Sequence, residues 1–550
     1  MSWLAMLLPH LPVLPIVLPL LASALLLMLR DSRHRTRLAL AGASSVGQLI
    51  IALMLLYMTA NTTAGAFEDL WPQHIAVYLL GDWQAPFGIV FVADRLAAIM
   101  LVTSAILGCA ALTYASVRWE RAGVHFLPLY QLLLMGINGA FLTGDLFNLF
   151  VFFEILLAAS YGLVLHGSGE LRVSAGLHYI ATNLIASFLL LIALAMIYGV
   201  SGTLNMAELA ARAGDLAGGN RRLFEAAAAI LGVAFLIKAA AWPLNFWLPA
   251  TYAHACAPVA AIFAIMTKVG IYALLRMGSL LLPSGAPAAF GGEWMYAVGL
   301  ATLLFGTLGI LATHQAERLV GYCVILSSGT LLAALGMPGV ALTGPALFYL
   351  INSVMAIGAF YLLIEMVERT RSFGADVLAV SLEAFDLEGE AAPDRSDDVV
   401  GVAIPAAMAF LGMAFVCCAL LVSGLPPLSG FVAKFTMLSA AVQASNVDAP
   451  PWAAWSLVAC VLASGLAGII ALTRTGMRLF WGSEERVTPR LHLAEAAPVG
   501  VLLLLCLCLG FWVQPVMAFL DETAQLLNNP QDYINAVSGA PSIRQLGTSP

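Results

Sequence analysis

The chain has 550 residues, 61% of them hydrophobic and 10% charged, with net charge −7 and mean hydropathy +0.94. Soluble domains are about half apolar and about a quarter charged, so this composition excludes an ordinary soluble enzyme and predicts an all-α polytopic membrane protein. No basic patch lies behind the acidic net charge, which argues against nucleic acid as a partner and leaves the lipid bilayer as the surroundings.

Apolar windows of about 20 residues cross a bilayer as helix. Taken in chain order they predict about fourteen spans: 11–29, 38–58, 94–115, 125–143, 146–166, 174–199, 222–241, 257–278, 295–312, 319–337, 344–366, 401–423, 453–473 and 495–516. The first has no basic stretch before it and no cleavage site, and reads as a span rather than a signal peptide. Asp94 and Arg95 open the third and read as a local pair with a structural role. Asp145 precedes the fifth, where a helix start and an ion site are equally open readings. Glu154 is mid-span in DLFNLFVFFEILLAASYGL, and His178 lies within 174–199 as either a relay or a satisfied core histidine. Lys238 is followed by Pro243 and Pro249, so that helix is interrupted. His254, in WLPATYAHACAP, is a candidate relay between Lys238 and Lys268. Asn183, Thr267, Ser327, Ser328 and Asn352 read as helix-packing residues or as holders of water in a polar axis. A second interruption, Gly424-Leu425-Pro426-Pro427, precedes Lys434. Residues 367–400, with the run SLEAFDLEGEAAPDRSDDVV, are expected to form a solvated acidic loop, and the polar tail from about 520 to be loosely ordered.

Lys238, Lys268 and Lys434 are the only lysines; the other 21 basic residues are arginines, most of them flanking apolar runs. A lysine at a bilayer centre costs about 2.5–3.5 kcal/mol, and side chains placed there usually face a hydrated cavity and handle charge. Lys268 lies about 15 Å from either end of its span at 1.5 Å per residue, too far for its stem to reach water. Arginine cannot be deprotonated, whereas burial makes lysine give up its proton and a nearby carboxylate makes it keep one. A Glu154–lysine pair that opens and closes therefore links helix movement to proton movement without a metal or prosthetic group. The bland alternative for all four is a structural ion pair. No Walker loop, dinucleotide fingerprint, CxxC pair or haem signature occurs, no cofactor or metal is expected, and the eight cysteines read as small core residues.

Arginine counts set the orientation. Arg30, Arg33, Arg35 and Arg37 mark the first connection as cytoplasmic, and the same side then holds Arg118, Arg121, Arg172, Arg318, Arg369, Arg371, Arg395, Arg474, Arg478, Arg486 and Arg490. The opposite side holds Arg95, Arg212, Arg221, Arg222, Arg276 and Arg544, and both termini come out periplasmic.

Four stretches resemble the antiporter-like family of proton-translocating membrane subunits: 144–163, YGVSGTLNMAELA at 198–210, IKAAAWPLNFWLPATYAHACAPVAAIFAIMTKVGIYALLR at 237–276 and SGLPPLSGFVAKF at 423–435. That family holds membrane subunits of respiratory complex I, related hydrogenase subunits and multisubunit (Mrp-type) Na⁺/H⁺ antiporters. The wording of 198–210 and 346–369 is most like the Mrp type. The resemblance implies fourteen helices in one membrane domain, 1–520, with inverted five-helix repeats at about 125–278 and 295–473, each with a broken helix. It implies proton translocation through Glu154, Lys238, Lys268 and Lys434. Asn245 stands where several relatives have histidine, and 344–366 lacks the lysine and histidine that some carry.

The function expected is the proton limb of a hetero-oligomeric antiporter of a bacterial inner membrane, exchanging Na⁺, or else K⁺ or Li⁺, for H⁺ beside other membrane subunits. A bare ammonium repels Na⁺, so the cation path is expected elsewhere in the complex. The alternatives are a proton-pumping subunit of an NADH-quinone oxidoreductase or membrane-bound hydrogenase, and a scaffold with a degenerate channel.

Overall fold

The computed structural model describes residues 8–30, 32–60, 74–121, 125–167, 169–281, 292–339, 341–385, 406–445, 450–480 and 491–541, with the backbone alone over 370–385. The chain runs α1 (Leu14–Met28), α2 (His34–Ala60), a hairpin of β1 (Ala76–Leu79) and β2 (Val90–Ala93), α3 (Arg95–Ala115), α4 (Phe126–Leu142), α5 (Leu146–Val164), α6 (Glu170–Ser201), α7 (Met206–Ala213), α8 (Gly218–Lys238), α9 (Trp247–His254) and α10 (Ala257–Leu281). It continues as α11 (Glu293–Ala312), α12 (Ala316–Leu335), α13 (Thr343–Phe385), α14 (Ala406–Ser423), α15 (Ser429–Ala444), α16 (Pro451–Phe480), α17 (Leu493–Phe511), α18 (Val513–Leu527) and α19 (Pro530–Ser538).

A helix lies at each apolar window, and 11 of those described are long and apolar enough to cross a membrane. α1 and α4 are apolar but shorter, and α8 carries Arg221, Arg222, Glu225 and Lys238. The chain is a multi-pass membrane protein. Both proline interruptions are real breaks: α8 stops at Lys238 and resumes as α9, and α14 stops at Ser423 and resumes as α15.

α10 and α13 are enclosed almost completely, with 94% and 100% of their apolar windows buried. Their apolar surface is satisfied by other helices, α3, α8 and α12 around α10, and α14, α15, α17 and α18 around α13. Small residues let backbones approach where lipid gives no hydrophobic drive. On α11 and α12, a Cβ on Gly299 would stand 2.2 Å from the Ala333 amide nitrogen, and one on Gly329 2.4 Å from that of Leu303.

Three expectations need correction. The segment 367–385 is the continuation of α13 rather than loop; 386–400 fall outside the described residues. The tail is not loosely ordered as far as residue 541: α18 packs on α13 and α19 on α7, because Leu520, Leu527, Tyr533 and Val537 turn inward. Asp94 does not pair with Arg95. Its carboxylate takes two bonds from Arg276, at 2.6 and 2.7 Å, and accepts from the Ala97 amide at 2.9 Å to cap α3. Arg95 reaches Glu522 on α18 at 2.9 Å.

Candidate functional site

The three lysines are all buried, with 5%, 0% and 6% of Lys238, Lys268 and Lys434 exposed. Lys238 is the last residue of α8, where the chain leaves the helix through Ala240 at φ +56°. Its ammonium stands 4.8 Å from the centre of the Phe153 ring, the residue before Glu154. Glu154 acts on it electrostatically, but among the described residues no contact within 4.0 Å joins the two charges. The expected pair is thus a pair of neighbours. One Glu154 carboxylate oxygen and the Lys238 ammonium have no hydrogen-bond partner.

The break is held from two sides. The Trp242 amide donates to the Thr302 hydroxyl at 2.8 Å. Gly270 of α10 presses on the end of α8, where a Cβ would stand 2.7 Å from the Ala239 nitrogen and 2.8 Å from the Phe235 carbonyl. We therefore expect Gly270→Ala to destabilise the chain by about 1–3 kcal/mol by overpacking. A lowered melting temperature of the purified protein would register it, and an unchanged one would mean that the two backbones separate freely.

Lys268, two residues before Gly270, is enclosed on every side and donates to the neighbouring Thr267 hydroxyl at 3.3 Å. Lys434 sits on α15 and donates to the carbonyls of Val422 and Ser423 at 3.1 and 2.9 Å. Those are terminal acceptors of α14, at the negative end of the helix dipole. Gly424 makes the turn at φ +78°, and a Cβ there would lie 2.6 Å from Lys434 Cδ, so glycine is required twice over. Asn352 of the enclosed α13 accepts from the Ser429 hydroxyl at 2.6 Å, tying the centre to the start of α15.

Other buried polar atoms without a partner include Asn245 in the first break, Trp247 at the start of α9, Ser328 on α12 and Tyr361 on α13. Unpaired buried polar groups are uncommon and call for water or an ion.

Three sequence candidates make their hydrogen bonds to groups other than the lysines. Asp145 caps α5 by accepting from the Asn148 amide at 2.9 Å, and burial lifts its carboxyl above the ordinary aspartate range. His178 is exposed on α6 with its ring bonded to the Ser174 carbonyl at 2.9 Å, so it is not a core histidine. His254 ends α9; burial and then Arg318 hold its imidazole below its usual pKa, with Glu317 opposing, and neither Lys238 nor Lys268 is among the charges acting on it.

Sequence reasoning passed over Glu365 on α13. Its carboxylate accepts from the Trp119 indole at 2.8 and 2.9 Å and from the Ala257 amide, the first of α10, at 3.1 Å. In the sequence it looks like an ordinary acidic flank of an apolar run.

Residues 143–464 match the family model described as "NADH:quinone oxidoreductase/Mrp antiporter, TM". The chain is 49% identical over 539 residues to the D-type subunit of a probable K(+)/H(+) antiporter of Rhizobium meliloti (strain 1021), covering 97% of this chain and 98% of the other. It is 30% identical over 534 residues to the D-type subunit of the Na(+)/H(+) antiporter of Alkalihalophilus pseudofirmus, covering 96% and 99%. Among solved structures, a chain of the Mrp complex from Dietzia sp. DQ12-45-1b superimposes with TM-score 0.78 at 26% identity, covering 96% of this chain and 100% of that one. A chain of respiratory complex I from Thermus thermophilus does so with TM-score 0.68 at 23% identity over 94% and 99%, a likeness of fold.

Proposed function

The chain belongs to the NADH:quinone oxidoreductase/Mrp antiporter membrane family, and from that premise we propose that it is the proton-translocating D-type subunit of a multisubunit monovalent cation/H⁺ antiporter. It would act as a secondary transporter subunit, in a bacterial inner membrane, beside other membrane subunits. The observation that carries the reading is three buried lysines on one set of helices, two at helix breaks and one on the enclosed α10 between them. Paired interrupted helices mark the transport sites of repeat-built transporters. We take about 125–278 and 295–473 as the two inverted repeats of a fourteen-span domain, with the arginine-rich side cytoplasmic and both termini periplasmic.

In this reading Glu154 and Lys238 form the switchable charge pair, Lys268 the centre and Lys434 the far end of a hydrated axis. Protons move down their gradient into the cytoplasm while Na⁺ or K⁺ leaves; the membrane potential alone supplies about 2.3 kcal/mol per charge per 100 mV. The lysine chemistry fits the proton limb.

The test is ΔpH collapse in everted vesicles of an antiporter-deficient strain expressing the whole operon. Rapid collapse on adding Na⁺ or K⁺ is the expected result. No collapse with Na⁺, K⁺ or Li⁺ from an assembled complex would move the assignment to the redox-driven pump, the reading for which the likeness to complex I speaks.

A further inference from the structure

α9 ends at His254 and α10 begins at Ala257, so Ala255 and Cys256 alone make the corner between the broken helix and the helix that carries Lys268. Both sides of that corner are held by charge. The Arg172 guanidinium of α6 donates to the His254 carbonyl at 2.6 Å, and the Glu365 carboxylate of α13 accepts from the Ala257 amide at 3.1 Å. Each charge suits its helix end, a cation on the terminal acceptor of α9 and an anion on the first donor of α10. The two are joined through Trp119, just past α3. Its indole donates to Glu365 at 2.8 and 2.9 Å, and its carbonyl accepts from the His166 ring at 2.9 Å. The His166 carbonyl, just past α5, accepts from another nitrogen of Arg172. The bonds therefore close a ring that runs from the corner through Glu365, Trp119, His166 and Arg172 back to the corner. Inside it the guanidinium also lies 5.9 Å from the centre of the Trp119 ring.

Such a ring is stiffer than a single bond. Charge-assisted hydrogen bonds are stronger than neutral ones, and each member's orientation is fixed by two neighbours. It also reaches the centre of the chain. α10 is enclosed over 94% of its apolar window, so it shifts as a rod or not at all. Fixing its first amide therefore fixes Lys268, about 16 Å further along at 1.5 Å per residue.

We propose that this ring is a positioning clamp for exchange: Arg172, Trp119 and Glu365 hold the depth and rotation of α10, and through it the place of Lys268. The inference rests on the antiport reading, in which Lys268 is the centre of the axis. The three residues act only through the helix they hold, so they are positioning residues.

The corner carries its own reporter. Cys256 is 2% exposed, and burial pushes its thiol up to about 12. A thiol held in that state is a poor nucleophile. A cavity of about 590 Å³, with Cys256 and Tyr361 among its walls, lies against the corner, so a small reagent meets Cys256 once the corner loosens.

The experiment compares wild type, Glu365→Ala, Glu365→Gln and Trp119→Phe as assembled complexes at matched levels in everted vesicles. Cation-driven exchange is measured over a range of cation concentrations. Modification of Cys256 by N-ethylmaleimide is followed in parallel by mass spectrometry of its peptide. Alanine removes both acceptors, glutamine keeps one at the same length, and phenylalanine removes only the indole N–H. In Glu365→Ala the maximal rate should fall roughly ten- to a hundredfold, the size of a misplacement imposed from a distance, with the half-saturating cation concentration unchanged. Cys256 should react at least about tenfold faster, in line with a lost hydrogen bond to a charged group. Glutamine should recover part of both effects. Trp119→Phe should move both in the direction of alanine, and it decides the matter if Glu365→Ala does not assemble. A wild-type maximal rate in the variants overturns the clamp. So does slow exchange with Cys256 still protected, which would make Glu365 part of the proton path itself, or a change confined to the half-saturating concentration. A wild-type complex without cation-driven exchange overturns the antiport reading and the role in exchange with it. Cys256 labelling needs no transport, and equal labelling in all four proteins overturns the ring as a clamp whatever the transport result.

Discussion

Replacing Lys238 by alanine should lower cation-driven ΔpH collapse below about 1% of wild type with the complex still assembled, in line with the 10²- to 10⁴-fold worth of a proton-transfer group. The side chain ends α8, is 5% exposed and makes no hydrogen bond, so alanine removes charge without breaking a bonded network. The sharper variant is Lys238→Arg. Arginine preserves the positive charge near Glu154 and over the Phe153 ring, yet it does not release a proton. If Lys238 hands protons on, arginine fails as badly as alanine; if it only balances Glu154, arginine restores most of the rate. Near wild-type exchange in Lys238→Arg would therefore return the residue to a structural role and remove the main support for a lysine axis.

The largest stability effect is expected at the opposite end of α10. Asp94→Ala leaves the Arg276 guanidinium 4% exposed with the Tyr272 hydroxyl at 3.2 Å and the Tyr533 ring at 5.2 Å as its remaining company. Removing one partner of a buried pair costs about 3–5 kcal/mol because the other charge stays buried, and the lost cap on α3 adds about 1 kcal/mol. The purified protein should melt well below wild type. Asp94→Asn, which keeps the cap, should fall between, and Arg276→Met added to Asp94→Ala should recover much of the loss, since an apolar replacement of both partners is often neutral. An Asp94→Ala protein as stable as wild type would show that water reaches this pair. The tail is also held by charges at this end, because α19 brings Tyr533 under Arg276 and α18 brings Glu522 to Arg95.

Much of the fold was legible residue by residue. Hydropathy placed the helices because a bilayer demands about 20 apolar residues per span. Proline marked both breaks, joined by Gly424 at the second, because proline lacks the amide a helix needs and glycine takes the left-handed turn. The scarcity of lysine singled out Lys238, Lys268 and Lys434, since burying them is costly enough to need a reason. Glu365 and Tyr361 gave no such signal: an acid at the end of an apolar run and a tyrosine within one are ordinary, and only packing reveals that one fastens α10 and the other faces a cavity. His178 misled because periodicity does not say which face of a long, apolar helix is turned to its neighbours.

The sequence by itself determined that this chain crosses a membrane many times, where its helices break, and which charged groups it keeps at depth. These follow from local costs, transfer into hydrocarbon and backbone chemistry, that each segment meets alone. Tertiary structure decided that Asp94 answers Arg276 rather than Arg95, that Glu154 and Lys238 are neighbours without touching, and that α18 and α19 close over the chain's own helix ends. Those depend on which faces meet across long sequence separations, and a buried charge accepts whichever partner packing brings within reach.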